Sequence, residues 1–502
     1  MNGTILFNPR SAKWKSRLPN SILQVGASIH GKRDYVFVDG NREEDPWKVI
    51  EEHLLTGRYR YFGTTVMPGP QLRQAIPFAK LVRERFPNVI NIWGGYFAAN
   101  QHKVVLASGH VDHVFDGPAD AGFPLLLDAL DRGSPLDAIP NLIHLRDGAI
   151  IRNAKAALAD MDGLPEFPYD HLDAHYPLAP YLANSYLGTR TIAYHSSFGC
   201  PFTCGFCAVV PIYNARWKGM GAERIHRDIV YLKERWGANA IEFHDNNFFV
   251  NEKRTVHFSN LIGPENMGWW GEGRIDTIDK YSDDSLALMR DAGCRMIFFG
   301  AESGDDAELK RMDKGGTQSG AQILRFAERM RRVGIVPEYS FVLGFPAPTE
   351  REVLSRIDRD IAFIRKVKDV NPDTEIIIYV YSPVPVEGSD LYERTKAEGF
   401  RFPERLEDWL DPQWENFDLR KNPLTPWLTP KAIDRIRDFE TVLNGRYPTV
   451  TDVRLSPAQR STIRTLSALR YRTGMNRWPY EIKALQKLWR YRQPETEGFP
   501  SK

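Results

Sequence analysis

Residues Cys200 to Cys207 read CPFTCGFC, so three of the chain's four cysteines fall together, spaced Cys-x-x-x-Cys-x-x-Cys. In a chain so poor in cysteine, clustered thiols point to a metal centre rather than to disulfides. Cys200, Cys204 and Cys207 supply three thiolates, and a four-iron cube held by three ligands keeps one iron open to a small molecule. A structural zinc ion is the alternative. It needs a fourth ligand, from His195 or His244, and no second Cys/His pair sits at finger spacing. Cys294 stands alone near the start of an apolar run and reads as a small buried side chain.

Strands and helices alternate on both sides of this loop. Downstream, TIAYHSS leads into the cysteines, a helix spans roughly Ala222 to Trp236, and AIEFHD, GWWGEGRID, RMIFFGAES, VPEYSFVLGFP and TEIIIYVYSPVP read as further strands. SDDSLALMRDAGC reads as a helix capped by Ser282. Six strand–helix units resemble a partial barrel, and in barrels of parallel strands chemistry is expected at the carboxyl ends of the strands. Those ends are polar although the strand bodies are apolar: Asp245, Asn246 and Asn247 after the second, Arg274 in the third, Glu302 and Ser303 at the fourth, Gly344 at the fifth. Helix N-capping is the competing account of Asp245 and Glu302.

Upstream, Thr4 to Phe7, Tyr35 to Val38, Tyr61 to Val66, Asn88 to Trp93 and His110 to Phe115 read as buried strands. Helices lie between them, for instance Gln71 to Arg85, bounded by Pro70 and Pro87. This spacing predicts a doubly wound parallel sheet that binds ligands beyond its strand ends. Gly63, Gly94, Gly95 and Gly117 sit at those ends, where glycine admits close backbone approach or merely shapes a turn. There is no G-x-G-x-x-G at the first strand. NLIHLRDGAIIRN, residues 141–153, is a hairpin around Asp147-Gly148, and the Pro-, Asp- and Tyr-rich stretch after it reads as a linker. The expected division is 1–140, linker 141–190, barrel 191–395 and a mostly helical, aromatic-rich region 396–502.

The triple-cysteine loop, with Phe206 just before its last cysteine, resembles that of the radical S-adenosylmethionine enzymes. The resemblance implies a 4Fe–4S cluster on Cys200, Cys204 and Cys207, with S-adenosylmethionine on the open iron. It further implies that Phe206, Asp245, Asn246, Arg274, Glu302, Ser303 and Gly344 surround that nucleotide, with Arg274 placed to neutralise its carboxylate. VFVDGN, FGTTVMPG, IWGGYFAA and VDHVFDG follow, in order, the strand-end pattern of the cobalamin-binding domain that precedes many of these enzymes. This implies a corrinoid near Gly63, Thr65, Gly94, Gly95, Asp116 and Gly117. The Asp-x-His-x-x-Gly motif that supplies a histidine to cobalt elsewhere is absent. Asp116-Gly117-Pro118-Ala119-Asp120 stands where relatives carry a Gly-Glu-Gly-Glu-like turn.

By this resemblance the expected reaction is methylation of an unactivated carbon of a small, lipid-like or tetrapyrrole-like molecule, with reduced flavodoxin or ferredoxin as electron donor. A radical oxidative cyclase of the Mg-protoporphyrin monomethyl ester type is the first alternative. A cobalamin and redox sensor without catalysis is the second. A net charge of +2 calls for no nucleic acid. The opening MNGTILFNPR has no secretory pattern and no apolar run is long enough to span a bilayer, so the expected compartment is the cytoplasm. The basic, aromatic-interleaved stretch RSTIRTLSALRYRTGMNRWPYEIKALQKLWRYRQ reads as a helix face whose tryptophans and leucines pack on the barrel. An anionic substrate, a membrane surface and nucleic acid are its alternatives.

Overall fold

The five apolar runs at the N-terminus are strands in the computed structural model, which describes residues 2–11, 17–312, 317–382, 386–387, 390–397, 399–415, 427–452 and 454–491. They are β1 (Gly3–Asn8), β2 (Tyr35–Asp39), β3 (Tyr59–Thr65), β4 (Ile90–Gly94) and β5 (His113–Phe115), all parallel, in the order β2-β1-β3-β4-β5. Every residue of β1 and β2 is buried, as a sheet covered by helices on both faces requires. The helix Leu72–Arg85 buries Leu72, Ala75, Ile76, Ala79 and Val82, one stripe at helical spacing. Strand order reverses between β1 and β3, and such a reversal opens a crevice beyond the strand ends.

The hairpin consists of β6 (Leu142–Arg146) and β7 (Ala149–Arg152), with Asp147 and Gly148 both at positive φ (52° and 78°). Two such residues are what a two-residue turn of matching twist needs. The hairpin adds antiparallel to β5, so the sheet has seven strands and runs to Arg152, past the expected boundary at 140. The linker then straps the sheet: Tyr181 donates to the buried Asp39 carboxylate at 2.7 Å and Tyr176 to Glu43 at 2.7 Å. Arg224 donates to the linker carbonyls of Asp162, Leu164 and Pro165, tying it to the second half of the chain.

That half contains β8 (Thr191–Tyr194), the short antiparallel pair β9 (Ser197–Gly199) and β10 (Trp217–Gly219), then β11 (Ala240–Phe243), β12 (Gly268–Gly273), β13 (Cys294–Glu302), β14 (Val336–Leu343) and β15 (Glu375–Val380). Six of these are parallel in the order β8-β11-β12-β13-β14-β15, an arc whose two end strands do not pair with each other. The fold class is thus as expected from sequence, with β9 and β10 as additions; positions 383–385 of the last apolar run lie outside the described residues. Cys294 is fully buried. Ser282 caps its helix by accepting from the Ser285 amide.

Behind β11 and β12 the arc rests on a cluster of rings: Trp269 packs against Phe243, Phe248, Phe249 and Phe258, and its indole N–H donates to the Ala292 carbonyl at 3.0 Å. In the C-terminal region Trp409 and Trp414 pack on the N-terminal half, Trp409 edge-on to Phe97 at 5.0 Å. The last helices, Pro457–Thr473 and Tyr480–Trp489, meet the expectation in part: Leu485 and Trp489 pack against the core together with Ile463, Tyr471 and Ile482, whereas Leu466, Leu469, Trp478, Tyr480 and Leu488 are exposed.

Trp269→Ala should leave a cavity in the ring cluster and lower the stability of this unit by about 3–5 kcal/mol. The shift of its chemical-denaturation midpoint, followed by circular dichroism, measures this.

Candidate functional site

The cysteine loop starts where β8 leaves the sheet, and one carboxylate fixes that departure. Asp245, fully buried just beyond β11, accepts from the Ser196 amide at 3.0 Å, from the Ser196 hydroxyl at 3.1 Å and, in a short contact, from the Ser197 hydroxyl. Arg254, from the helix Glu252–Ile262, donates to the Ser196 carbonyl and hydroxyl and to the carbonyls of Met220 and Phe248. Its guanidinium lies 4.7 Å from the centre of the Phe248 ring. Burial lowers the Arg254 pKa and the nearby Asp245 charge opposes that shift. Gly199, the last residue before Cys200, has φ 73°, and a β-carbon there would meet the Arg216 carbonyl oxygen at 2.2 Å. Only glycine fits that turn.

Donors approach the sulfurs. Arg274, just past β12, brings Nη1 to 3.1 Å from Cys204 Sγ, pairs with Asp276 through Nε and Nη2 at 2.9 and 2.8 Å, and stacks 4.0 Å over the Phe202 ring. Asn247 Nδ2 lies 4.0 Å from Cys200 Sγ, while its buried Oδ1 has no partner. Burial pushes the Cys200 thiol up, so its thiolate needs a cation beside it, as an iron would provide. Among the described residues no three Cys, His, Asp or Glu side chains converge on one ion. Thiolates of a four-iron cube each take a different iron and have no need to converge.

Two cavities lie beside this loop, the first lined by residues that flank it and the second by residues within it. One, of about 360 Å³, lies between the two halves of the chain. The carboxyl ends of the first sheet line it with Gly63, Thr65, Gly94, Gly95, Tyr96 and Gly117, and the second half adds His195, Ser197, Phe198, Ile212, Tyr213 and Asn246. Tyr96 spans it, donating to Asn246 Oδ1 at 2.9 Å. The other, of about 410 Å³, is lined by Gly205 and Phe206 of the loop, by Phe345, Tyr381 and Trp427, and by Arg311, Arg356 and Arg394.

Residues 194–359 match the radical SAM superfamily. They are a radical S-adenosylmethionine domain. Over 344 residues the chain is 26% identical to an uncharacterised methyltransferase of Pyrococcus horikoshii, covering 68% of this chain and 72% of that one. It is 25% identical to the anaerobic magnesium-protoporphyrin IX monomethyl ester cyclase of a Synechocystis strain, over 60% of this chain and 57% of the cyclase. The fold is shared with the cobalamin-dependent S-adenosylmethionine radical enzyme OxsB, solved with aqua-cobalamin and S-adenosylmethionine (TM-score 0.70, 13% identity, 98% of this chain and 75% of that one).

The radical S-adenosylmethionine domain gathers some of the residues expected at its nucleotide and sends others elsewhere. Phe206 lines the second cavity. Glu302 ends β13 at φ 63°, on a register slip between Gly300 and Glu302; a non-glycine residue held there marks stored strain of the kind found at functional positions. Neither Asp245 nor Glu302 caps a helix, since the helix after Glu302 is capped by Asp305. Asp245 instead spends its acceptors on Ser196 and Ser197. Ser303 turns away to bond Asp360 at 3.1 Å, and burial raises Asp360 to about 7. Gly344 sits at φ 88°, a backbone that favours glycine, and packs against the tip of Leu428; its neighbour Phe345 is the cavity residue.

On the other side Gly63, Thr65, Gly94, Gly95 and Gly117 all line the interdomain cavity, whereas Asp116 is buried in ion pairs with Arg152 and Lys155. Three residues escaped the sequence reading. Arg254 and Tyr96 act through contacts across long sequence separations. Glu272 lies on the lumen side of β12, because Gly271 and Gly273 face Phe249 on the other. Burial, with Asp245 adding to it, pushes Glu272 up to about 7. Its position in the alternation was the available signal.

Replacing Cys200, Cys204 and Cys207 together by alanine should abolish iron binding in anaerobically reconstituted protein, whereas Cys294→Ala should keep about four irons per chain. Asp245→Ala should also lower iron content, since it frees the start of the loop; iron and sulfide analysis checks both.

Proposed function

We propose that the chain is a cobalamin-dependent radical S-adenosylmethionine methyltransferase acting on an unactivated carbon of a small molecule. The observation that carries this reading is a pair of cavities on either side of the cysteine loop: one lined by Gly205 and Phe206 of the loop, the other floored by glycines from a doubly wound sheet and walled by Phe198 and Ile212, which flank the loop. Residues to Arg152 would form the corrinoid domain and residues from about 191 the radical domain, joined by the strapped linker.

The residues fit the groups. At Gly94 a β-carbon would find nothing within 4 Å, so the backbone faces open space that a bulky ring can fill. Gly95 differs: its φ is 90° and a β-carbon would meet the Val66 backbone at 2.7 Å, so it shapes the turn. His195, lowered by burial and with Nδ1 unpartnered, offers the cavity a neutral imidazole. Phe345, Tyr381 and Trp427 offer an adenine flat apolar surfaces beside Phe206. Arg274 is engaged with Cys204 and Asp276, which suits it to tuning the cluster sulfurs more than to meeting a free carboxylate. When bound, cluster and nucleotide supply hydrogen abstraction and the corrinoid supplies the methyl group. The protein orients both groups, and the half-buried Tyr96–Asn246 contact would stand between them.

Oxidative cyclisation is the second reading, because a cyclase stands beside a methyltransferase among the relatives at nearly the same identity. S-adenosylhomocysteine formed together with 5′-deoxyadenosine supports methylation; 5′-deoxyadenosine alone supports cyclisation. Reduced flavodoxin or ferredoxin would deliver the electron, and a reducing compartment such as the cytoplasm suits the cluster. No helix among the described residues is long and apolar enough to cross a membrane.

Gly94→Val should fold and keep its iron, because the added methyls enter the cavity, yet it should lose cobalamin. Gly95→Ala should lose at least about 1–3 kcal/mol of stability, because its backbone conformation is essentially confined to glycine and the β-carbon would press on the Val66 backbone. Corrinoid content after reconstitution and thermal melts distinguish the two. A soluble, iron-replete wild type that ignores cobalamin would end the methyl-transfer reading.

A further inference from the structure

The C-terminal helices carry charge and apolar surface that neither cavity uses. Residues 454–491 hold nine arginines and lysines and one acid, Glu481, in a chain whose net charge is only +2. Four of the nine are occupied at home: Arg454 on the Arg490 carbonyl, Arg460 on the carbonyls of Thr449 and Asp452, Arg470 on Glu481 and Lys483 on Asp438. Arg464, Arg472, Arg477, Lys487 and Arg490 are exposed, and their side chains have no hydrogen bond or ion pair among the described residues.

Between these cations stand large apolar side chains that folding has not buried. Leu469 is 55% exposed, Trp478 63%, Tyr480 68% and Leu488 72%, with Leu466 and Met475 also exposed. They are ordered by the helices. Leu466 and Leu469, three apart, lie together on Pro457–Thr473, Leu469 across the helix from the buried Ile463, Ser467 and Tyr471 and Leu466 at the edge of that buried stripe. Tyr480 and Leu488, two turns apart with Ala484 between them, share a face of Tyr480–Trp489 opposite the buried Ile482. A concentration of exposed leucine, tryptophan and tyrosine on one subdomain marks an interaction surface.

We infer that this face docks on the surface of an anionic lipid bilayer. The leucines would enter the acyl boundary, Trp478 and Tyr480 would lie at headgroup depth, and the five unpaired cations would meet lipid phosphates. Nucleic acid fits less well, because Leu466, Leu469 and Leu488 present no π-face on which bases stack. A second copy fits less well because a two-fold pairing of this face would set the unpaired cations against their own copies.

The test is co-sedimentation of the full-length, cluster-loaded protein with vesicles of phosphatidylcholine alone, or with a third of the lipid replaced by phosphatidylglycerol. Binding to the anionic vesicles alone, weakened by added salt, is expected. Arg464→Glu with Lys487→Glu should reduce it at least twentyfold, taking about fivefold per cation removed. Leu469→Gln with Leu488→Gln should reduce it at low salt as well, and all four positions are exposed, so iron content and circular dichroism should not change. No co-sedimentation, equal binding to pure phosphatidylcholine, or full binding by the leucine variant would overturn the inference. So would protection of Trp478 by nucleic acid or by self-association in place of vesicles.

Discussion

The buried bond between Asp245 and the Ser196-Ser197 segment is the constraint on which the rest of the site depends. Parallel strands deliver their carboxyl ends to one side of a sheet, but they do not by themselves fix the loops that follow. Here the chain leaves β8, and a carboxylate from the neighbouring β11 takes its amide and two hydroxyls. Arg254 closes the arrangement from the helix layer by holding the Ser196 carbonyl and hydroxyl. A buried charge is tolerated only when its polar atoms are hydrogen-bonded, and Asp245 and Arg254 both are, meeting on Ser196 rather than on each other. Disturbing either loosens Ser196, so the start of the loop and β9 depend on both.

The same economy of contacts aligns the two halves of the chain. Tyr96 follows Gly94 and Gly95 at the end of β4 and reaches Asn246 beside Asp245. Asn20 donates to the Ala193 carbonyl in β8, and Arg17 meets His244 and Glu242 at the lumen. The carboxyl ends of the first sheet therefore face the strand ends of the second. Two glycines side by side do unlike work in this junction. Gly95 makes the turn, and Gly94 leaves the room.

What the sequence disclosed follows from the range of the interactions involved. Buried parallel strands are continuous apolar runs, so β1 to β5 and the six strands of the arc were legible, as were the Asp147-Gly148 turn and the cysteine spacing. Roles decided by distant partners were not. Nothing near Gly344 in sequence announces Leu428, and nothing near Ser303 announces Asp360. Asp116 looked like a ligand-facing strand end and proved to be an ion-pair residue, because Arg152 and Lys155 come from the hairpin and linker. In the last helices the apolar pattern was read correctly as amphipathic. Its direction was read only in part, since Leu485 and Trp489 pack inward while Leu466, Leu469 and Leu488 do not, and periodicity gives a face without saying what covers it.

The loop from Cys200 to Cys207 lies between the two cavities: Phe198 and Ile212, on either side of it in sequence, line the first, and Gly205 and Phe206, within it, line the second. Two ligands that share a short structural element cannot bind independently if either changes its order. Whatever factor the occupant of one cavity applies to affinity in the other must be returned in equal measure, because the cycle of binding steps closes. The segment from Phe198 to Ile212 would thus link the two cavities thermodynamically, and its stiffness would set how strongly the occupancy of one is felt in the other.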